Sequence, residues 1–309
     1  MAEPHALSVT IPMETEGKSQ HFAGSRLDRI PAAALLMLAI ASLQIGGALA
    51  VNLFARLGPL GTVWLRVTIA AVILLAVWRP QFDRNLRVNF VPLALFGLSI
   101  AAMNVCIYQA FARIPFGIAV TLEFLGPLGL AVYLSRRVHD YLWAGLAFIG
   151  VALLTPLTGN AFPDPIGVVY ALLAGVCWAA YAKLGAAVGR VFPGGTGLAL
   201  GIAIAALLLL PIGIRSAGPA LLEPPVLVTG LLIALASTVI PFSLEFEALR
   251  RLPARTYGIL VSLDPAAATV TGAVLLHQPL TLRTIAAVIC VVSAALGVTL
   301  ASQRNPENQ

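Results

Sequence analysis

Glu123, Asp264 and Arg66 each stand well inside a long apolar stretch, where an ionisable side chain has no water to solvate it. At the centre of a membrane helix such a residue costs about 2.5–3.5 kcal/mol on insertion scales, so each needs a partner or a task. A carboxylate there can hold an ammonium group or a proton. A guanidinium can hold a carboxylate through two parallel hydrogen bonds. A structural alternative exists: Glu123 and Arg66 fall about 10 Å and about 8 Å from the same end of their stretches at 1.5 Å per residue, so they could form an ion pair locking two helices. The residue types alone leave both readings open.

Asp264 directly precedes Pro265, and Glu123 lies four residues before Pro127, which follows Gly126. A proline inside a helix removes one donor and disturbs the carbonyl four residues back. Backbone groups freed in a bilayer are tolerated where they line a cavity or are buried in protein. Gly126-Pro127 and Pro265 therefore predict two helix breaks beside two carboxylates. Further candidates for a polar cavity wall are Gln44, Asn104, Tyr108, Glu245 and Tyr181. Asn104 and Tyr108 are four apart and share a helix face, which suits a cavity wall or an interhelical hydrogen bond. Trp178 and Gln109 fall in the same stretches. Lys183 is expected to snorkel to an interface, and Glu247 to join Arg250 and Arg251 in a solvated cluster. Gly185/Gly189 and Gly197/Gly201 read as close helix packing and only weakly as a dimer face.

The elements that must position these residues emerge from composition. Of 309 residues 59% are apolar and 10% charged, against about 45–50% and about 25% in soluble domains. So few charges cannot clothe a water-soluble surface, and the solvent for most of this chain must be lipid. Apolar runs near the roughly 20 residues that cross a bilayer fall at 32–54, 61–78, 90–111, 116–134, 141–157, 166–188, 195–214, 226–246, 256–276 and 281–301. Runs such as Val72-Ile73-Leu74-Leu75 lack the alternation of a membrane β-barrel. The expectation is an all-α integral membrane protein with ten transmembrane helices. Polar tails at 1–30 and 303–309 flank it, and the acidic residues Glu3, Glu14, Glu16 and Asp28 argue against a transit peptide.

Of the nineteen Lys and Arg residues, fourteen fall on the side of the N-terminus under this scheme and four on the other, with Arg66 inside a span. The positive-inside rule then puts both termini in the cytoplasm. The same placement at span ends accounts for the net charge of +6 without a nucleic-acid partner. Cys106, Cys177 and Cys290 are isolated and suggest neither a disulfide framework nor a metal site. A membrane enzyme would need clustered catalytic groups, but His5 and His21 lie in the tail while His139 and His277 fall at opposite faces. No phosphate-cradling loop points to a nucleotide, and no cofactor is implied.

Ala110-Phe111-Ala112-Arg113-Ile114-Pro115 recurs as Ala248-Leu249-Arg250-Arg251-Leu252-Pro253, and Pro127 recurs as Pro265, all at an offset of 138. The chain therefore reads as two five-helix repeats, 31–160 and 161–302. Five is odd, so the second repeat is inverted, as in many secondary transporters with a substrate site at the midplane. A channel would instead want a pore-lining ring from several subunits, which the internal inverted repeat argues against. These features resemble the drug/metabolite transporter superfamily of EamA type. Within it, the block from Gly117 through Thr121-Leu122-Glu123-Phe124-Leu125-Gly126-Pro127 is similar to the bacterial threonine/homoserine exporter group. So are Pro241-Phe242-Ser243-Leu244-Glu245 and Leu252-Pro253-Ala254-Arg255-Thr256-Tyr257-Gly258. One departure is Asp264, where that group usually carries the longer Glu. The resemblance implies proton-coupled export of small polar amino acids across a bacterial inner membrane, by a monomer or homodimer. Export of another amino acid or a purine-like compound is the alternative.

Overall fold

The computed structural model describes residues 30–80, 84–134, 138–154, 164–192, 194–252 and 254–302, and every regular element among them is helical. The elements are α1 (Ala32–Trp78), α2 (Arg84–Val88), α3 (Phe90–Phe111), α4 (Phe116–Glu123), α5 (Leu125–Leu134), α6 (Val138–Leu154), α7 (Pro165–Val191) and α8 (Thr196–Ala217). A 3₁₀ segment (Gly218–Leu222) leads to α9 (Pro224–Ala234). A π-helical turn (Leu235–Val239), α10 (Ile240–Arg251), α11 (Ala254–Val261), α12 (Asp264–Leu275) and α13 (Leu282–Ser302) complete the chain. Six helices among the described residues are long and apolar enough to cross a membrane, and three shorter ones are apolar. Large apolar side chains on their outer faces stay bare: Val72, Val176, Leu207 and Phe148 are 63–74% exposed. That is the surface lipid would cover.

The loop expected between the first two spans is reduced to one residue. At 47 residues α1 is twice the needed length, but Gly58 breaks it with φ 67° and ψ 169°. Positive φ favours glycine, and the following Pro59 demands an extended ψ and offers no donor. The freed carbonyls are capped: Ser216 Oγ donates to Leu57 O (3.0 Å) and Thr62 Oγ1 to Gly58 O (2.8 Å). A single kink thus separates arms 32–57 and 59–78. The five-residue helix α2 falls in the expected loop after the second span.

Between helices the contacts are made by small residues. Ala48, Ala70, Ala110, Ala171, Ala174, Ala199 and Ala205 are fully buried. With no hydrophobic drive between helices in lipid, small residues let backbones approach closely. The closest approach joins α5 to α7: a Cβ on Gly126 would lie 1.9 Å from the Gly175 carbonyl oxygen. Three of the four glycines of the paired motifs are used inside the chain. Gly185 and Gly201 both abut the Phe96 ring, and Gly197 meets Val188.

Partners cross the midpoint of the sequence. The most extensive contacts are α1 with α8, and α3 with α7. Next, α6 lies along α13, α1 along α9 and α10, and α4 across α12. The segments 32–154 and 164–302 are thus woven together, which places side chains from both around one interior space.

Candidate substrate site

That space is a cavity of about 220 Å³ bounded by α1, α3, α4, α7, α8, the π-turn, α10, α11 and α12. One water needs only about 10–15 Å³ on this scale, so a small metabolite fits. Phe111 and Phe116, with ring centroids 4.5 Å apart, line it together with Leu36, Leu198 and Glu245. Gln44, Arg66, Asn104, Tyr108, Glu123, Tyr181, Glu245 and Asp264 all border it. Trp178 does too, with its ring edge-on to Phe124. Gln109 and Glu247 do not: Gln109 accepts from Arg113, and Glu247 pairs with Arg251. Lys183 is exposed on α7.

The local structure is set by the prolines. Helix α4 ends at Glu123 and α5 starts at Leu125, so Gly126 and Pro127 fall in the first turn of the restart. Helix α11 ends at Val261 and α12 starts at Asp264, with Pro265 as its second residue. Both carboxylates therefore sit at helix junctions. A third proline, Pro241, has a larger effect than its resemblance to a family block suggests. It lacks the N–H that would bond to Ser237 O and crowds that carbonyl. The helix widens into the π-turn one step earlier, with Ile240 N bonded to Leu235 O. Such turns recur at functional sites. Two carbonyls of the turn then take side-chain donors: Ala236 O receives Ser42 Oγ (2.7 Å) and Ser237 O receives Arg66 Nη1 (3.5 Å).

Of the two readings left open for Arg66 and Glu123, the ion pair between them is not made. Arg66, 8% exposed, is held by the turn instead. Its Nη1 donates to Ser237 Oγ and Thr238 Oγ1, both at 3.3 Å, and its Nη2 donates to Asn104 Oδ1. Asn104 is fixed in turn by donating to Ile100 O (2.8 Å). The Tyr108 ring lies against the guanidinium, with Cζ 5.2 Å from the ring centroid. Among the described residues Arg66 makes no ion pair, and its Nε is buried without a partner. A guanidinium has five N–H donors. Nη1 and one Nη2 hydrogen are committed, which leaves Nε–H and one further Nη2 hydrogen without a partner among the described residues.

Opposite charge surrounds the same space. Asp264 Oδ1 accepts from Gln44 Nε2 at 2.7 Å. Glu245 accepts from the Tyr257 hydroxyl of α11. The half-buried Glu123 carboxylate has no hydrogen-bond partner among the described residues. Three carboxylates thus face one guanidinium, and unbalanced charge in a low-dielectric interior is costly. Such a cavity suits a ligand that carries both a cationic and an anionic group.

Ser42, Ser237, Thr238 and Tyr257 were not singled out from sequence. Pro241 inside an expected span was the available signal for two of them, since it marks Ser237 as a carbonyl without its donor.

The sequence has known relatives. Residues 165–300 match the EamA-like transporter family. The threonine/homoserine exporter RhtA of Salmonella typhimurium strain SL1344 is 40% identical over 274 residues, covering 88% of this chain and 92% of that protein. The protein of the same name from Escherichia coli K12 is 40% identical over 267 residues, covering 86% and 90%. The chain belongs to the EamA-like transporter family. One solved crystal structure superposes on this transporter with a TM-score of 0.61 at 18% identity, covering 91% of this chain and 99% of its own, and that likeness concerns the fold alone. Membership makes the chain a transporter rather than an enzyme.

Proposed function

We propose that this transporter exports small polar amino acids, threonine or homoserine foremost, across a bacterial inner membrane in exchange for protons. The carrying observation is the make-up of one cavity: among the described residues Arg66 is the only Lys or Arg that borders it and it makes no ion pair, while Glu123, Asp264 and Glu245 border the same space. A zwitterion supplies a partner for both kinds of charge, its carboxylate at Arg66 and its ammonium at Glu123 or Asp264. Carboxylates left over hold protons when the cargo is absent, which is the exchange that coupling requires. The activity in the relatives' names, at 40% identity, supports the substrate class.

In purified proteoliposomes, labelled threonine or homoserine should move when a pH gradient is imposed, and a protonophore should abolish that movement. Absence of flux for both compounds would remove the substrate assignment.

The same reading includes ten spans in two inverted halves, 31–160 and 161–302, that rock about the cavity. Counting α1 as two arms at Gly58, the six long helices and three shorter ones make ten. The pairing of α6 with α13, the last helix of each proposed half, is compatible with this arrangement. The cavity is complete within one chain, so a monomer suffices and a homodimer would carry two sites. With both termini cytoplasmic, Phe111 and Phe116 close the outer end. Reporter fusions after Asn160 and after Gln309 should read outside and inside respectively. The same side for both would overturn the five-plus-five arrangement.

A further inference from the structure

We infer that Tyr108 reads the side-chain hydroxyl of the cargo and makes this transporter selective for hydroxy amino acids over their unhydroxylated isosteres; the inference rests on the export reading above. Four buried side-chain polar atoms among the described residues lack any partner: Trp64 Nε1, Arg66 Nε, Thr68 Oγ1 and the Tyr108 hydroxyl. Only Arg66 and Tyr108 of these four border the cavity. They also touch each other, guanidinium against ring at 5.2 Å, so both fall within the span of one small amino acid.

Tyr108 is 2% exposed and its ring is set in place by Phe54 and Phe111, with centroids at 5.6 and 5.9 Å. Packing therefore explains the ring but not the hydroxyl. Phenylalanine would fill the same space without leaving a buried donor and acceptor unsatisfied, a state native proteins seldom leave unexplained. The neutral polar groups nearest Arg66 are engaged: Asn104 with Arg66 and Ile100 O, Gln44 with Asp264, Ser237 with Arg66 and Ile233 O, Thr238 with Arg66. With the cargo's carboxylate at Arg66, Tyr108 is the adjoining side chain whose hydroxyl is still unmatched. A site that offers a hydrogen bond to a hydroxyl discriminates against the analogue lacking it, because the site's own polar group stays unpaired.

The test uses Tyr108→Phe in the full chain, reconstituted in proteoliposomes, with threonine against valine and homoserine against norvaline as matched pairs. The parent should favour the hydroxylated member of each pair. In Tyr108→Phe the KM for threonine and homoserine should rise about 10-fold, the worth of one hydrogen bond, while valine and norvaline are handled as well as before or better. Removing an unpartnered hydroxyl should leave the melting temperature of the empty protein unchanged or raised, and should reduce the further rise that saturating threonine produces. A parental selectivity ratio in Tyr108→Phe overturns this assignment and leaves the export reading intact. An equal loss for all four compounds, with a lowered melting temperature, also overturns it by showing a structural role. If the parent moves neither threonine nor homoserine, the export reading itself falls and the assignment with it.

Discussion

Arg66→Gln should raise the KM for threonine by on the order of 100-fold or more, with the folded protein still recoverable from membranes. Truncating one partner of a buried, charge-assisted pair typically costs about 2–5 kcal/mol, and each 1.4 kcal/mol is a factor of ten. The loss falls on binding because Arg66 is the only Lys or Arg among the described residues that border the cavity. Arg66→Lys separates charge from geometry. Lysine brings a point charge without the planar fork, so it should recover a minor part of the affinity. Ser237, Thr238 and Asn104 also lean on Arg66, so melting temperatures must accompany the flux measurements. Unaltered threonine transport in Arg66→Gln would show that the residue merely ties the π-turn to α3.

Glu123→Gln should abolish the response of flux to a pH gradient, lowering gradient-driven export by about 100-fold or more. The variant keeps the shape of the side chain and removes only the exchangeable proton and the charge. Among the described residues Glu123 is the carboxylate of the three with no hydrogen-bond partner, so it is the freest to trade a proton or receive an ammonium. Asp264→Asn should be milder in fold and severe in function. An amide can still accept from Gln44, whose Nε2 now bonds Oδ1 at 2.7 Å. The two variants thus divide the labour: loss of coupling with residual exchange for Glu123→Gln, and loss of cargo affinity for Asp264→Asn. Measuring pH-driven net flux and threonine–threonine exchange side by side separates the two. Parental behaviour of both variants across pH would sink the assignment.

The distribution of charge and the positions of the prolines carried most of what could be read in advance. An apolar run cannot expose its backbone to lipid, so the helical class and nearly every helix are dictated by local sequence. Compare 90–111 with α3 at Phe90–Phe111, or 281–301 with α13 at Leu282–Ser302. The cost of an ionisable group in a bilayer likewise marked Arg66, Glu123 and Asp264 before any fold was known, and all three border one cavity. The kink at Gly58 was less legible, because helix and tight kink differ there by the dihedrals of a single residue.

Partner choice was decided by tertiary structure alone. Depth along a helix is linear in sequence at 1.5 Å per residue, so the sequence could set Arg66 and Glu123 at compatible heights. Whether they meet depends on how each helix is rotated and what packs between them, and no local signal encodes that. Here the π-turn above Pro241 turns Ser237 and Thr238 toward Arg66, Asn104 completes the cradle, and Arg66 Nε is left without a partner. By itself, then, the sequence determined that this chain is a helical membrane protein with charged groups at depth. Only the packing of helices from distant segments decided that Arg66 and Glu123 stay unpaired around one shared space, because rotation about a helix axis is fixed by neighbours and not by the helix itself.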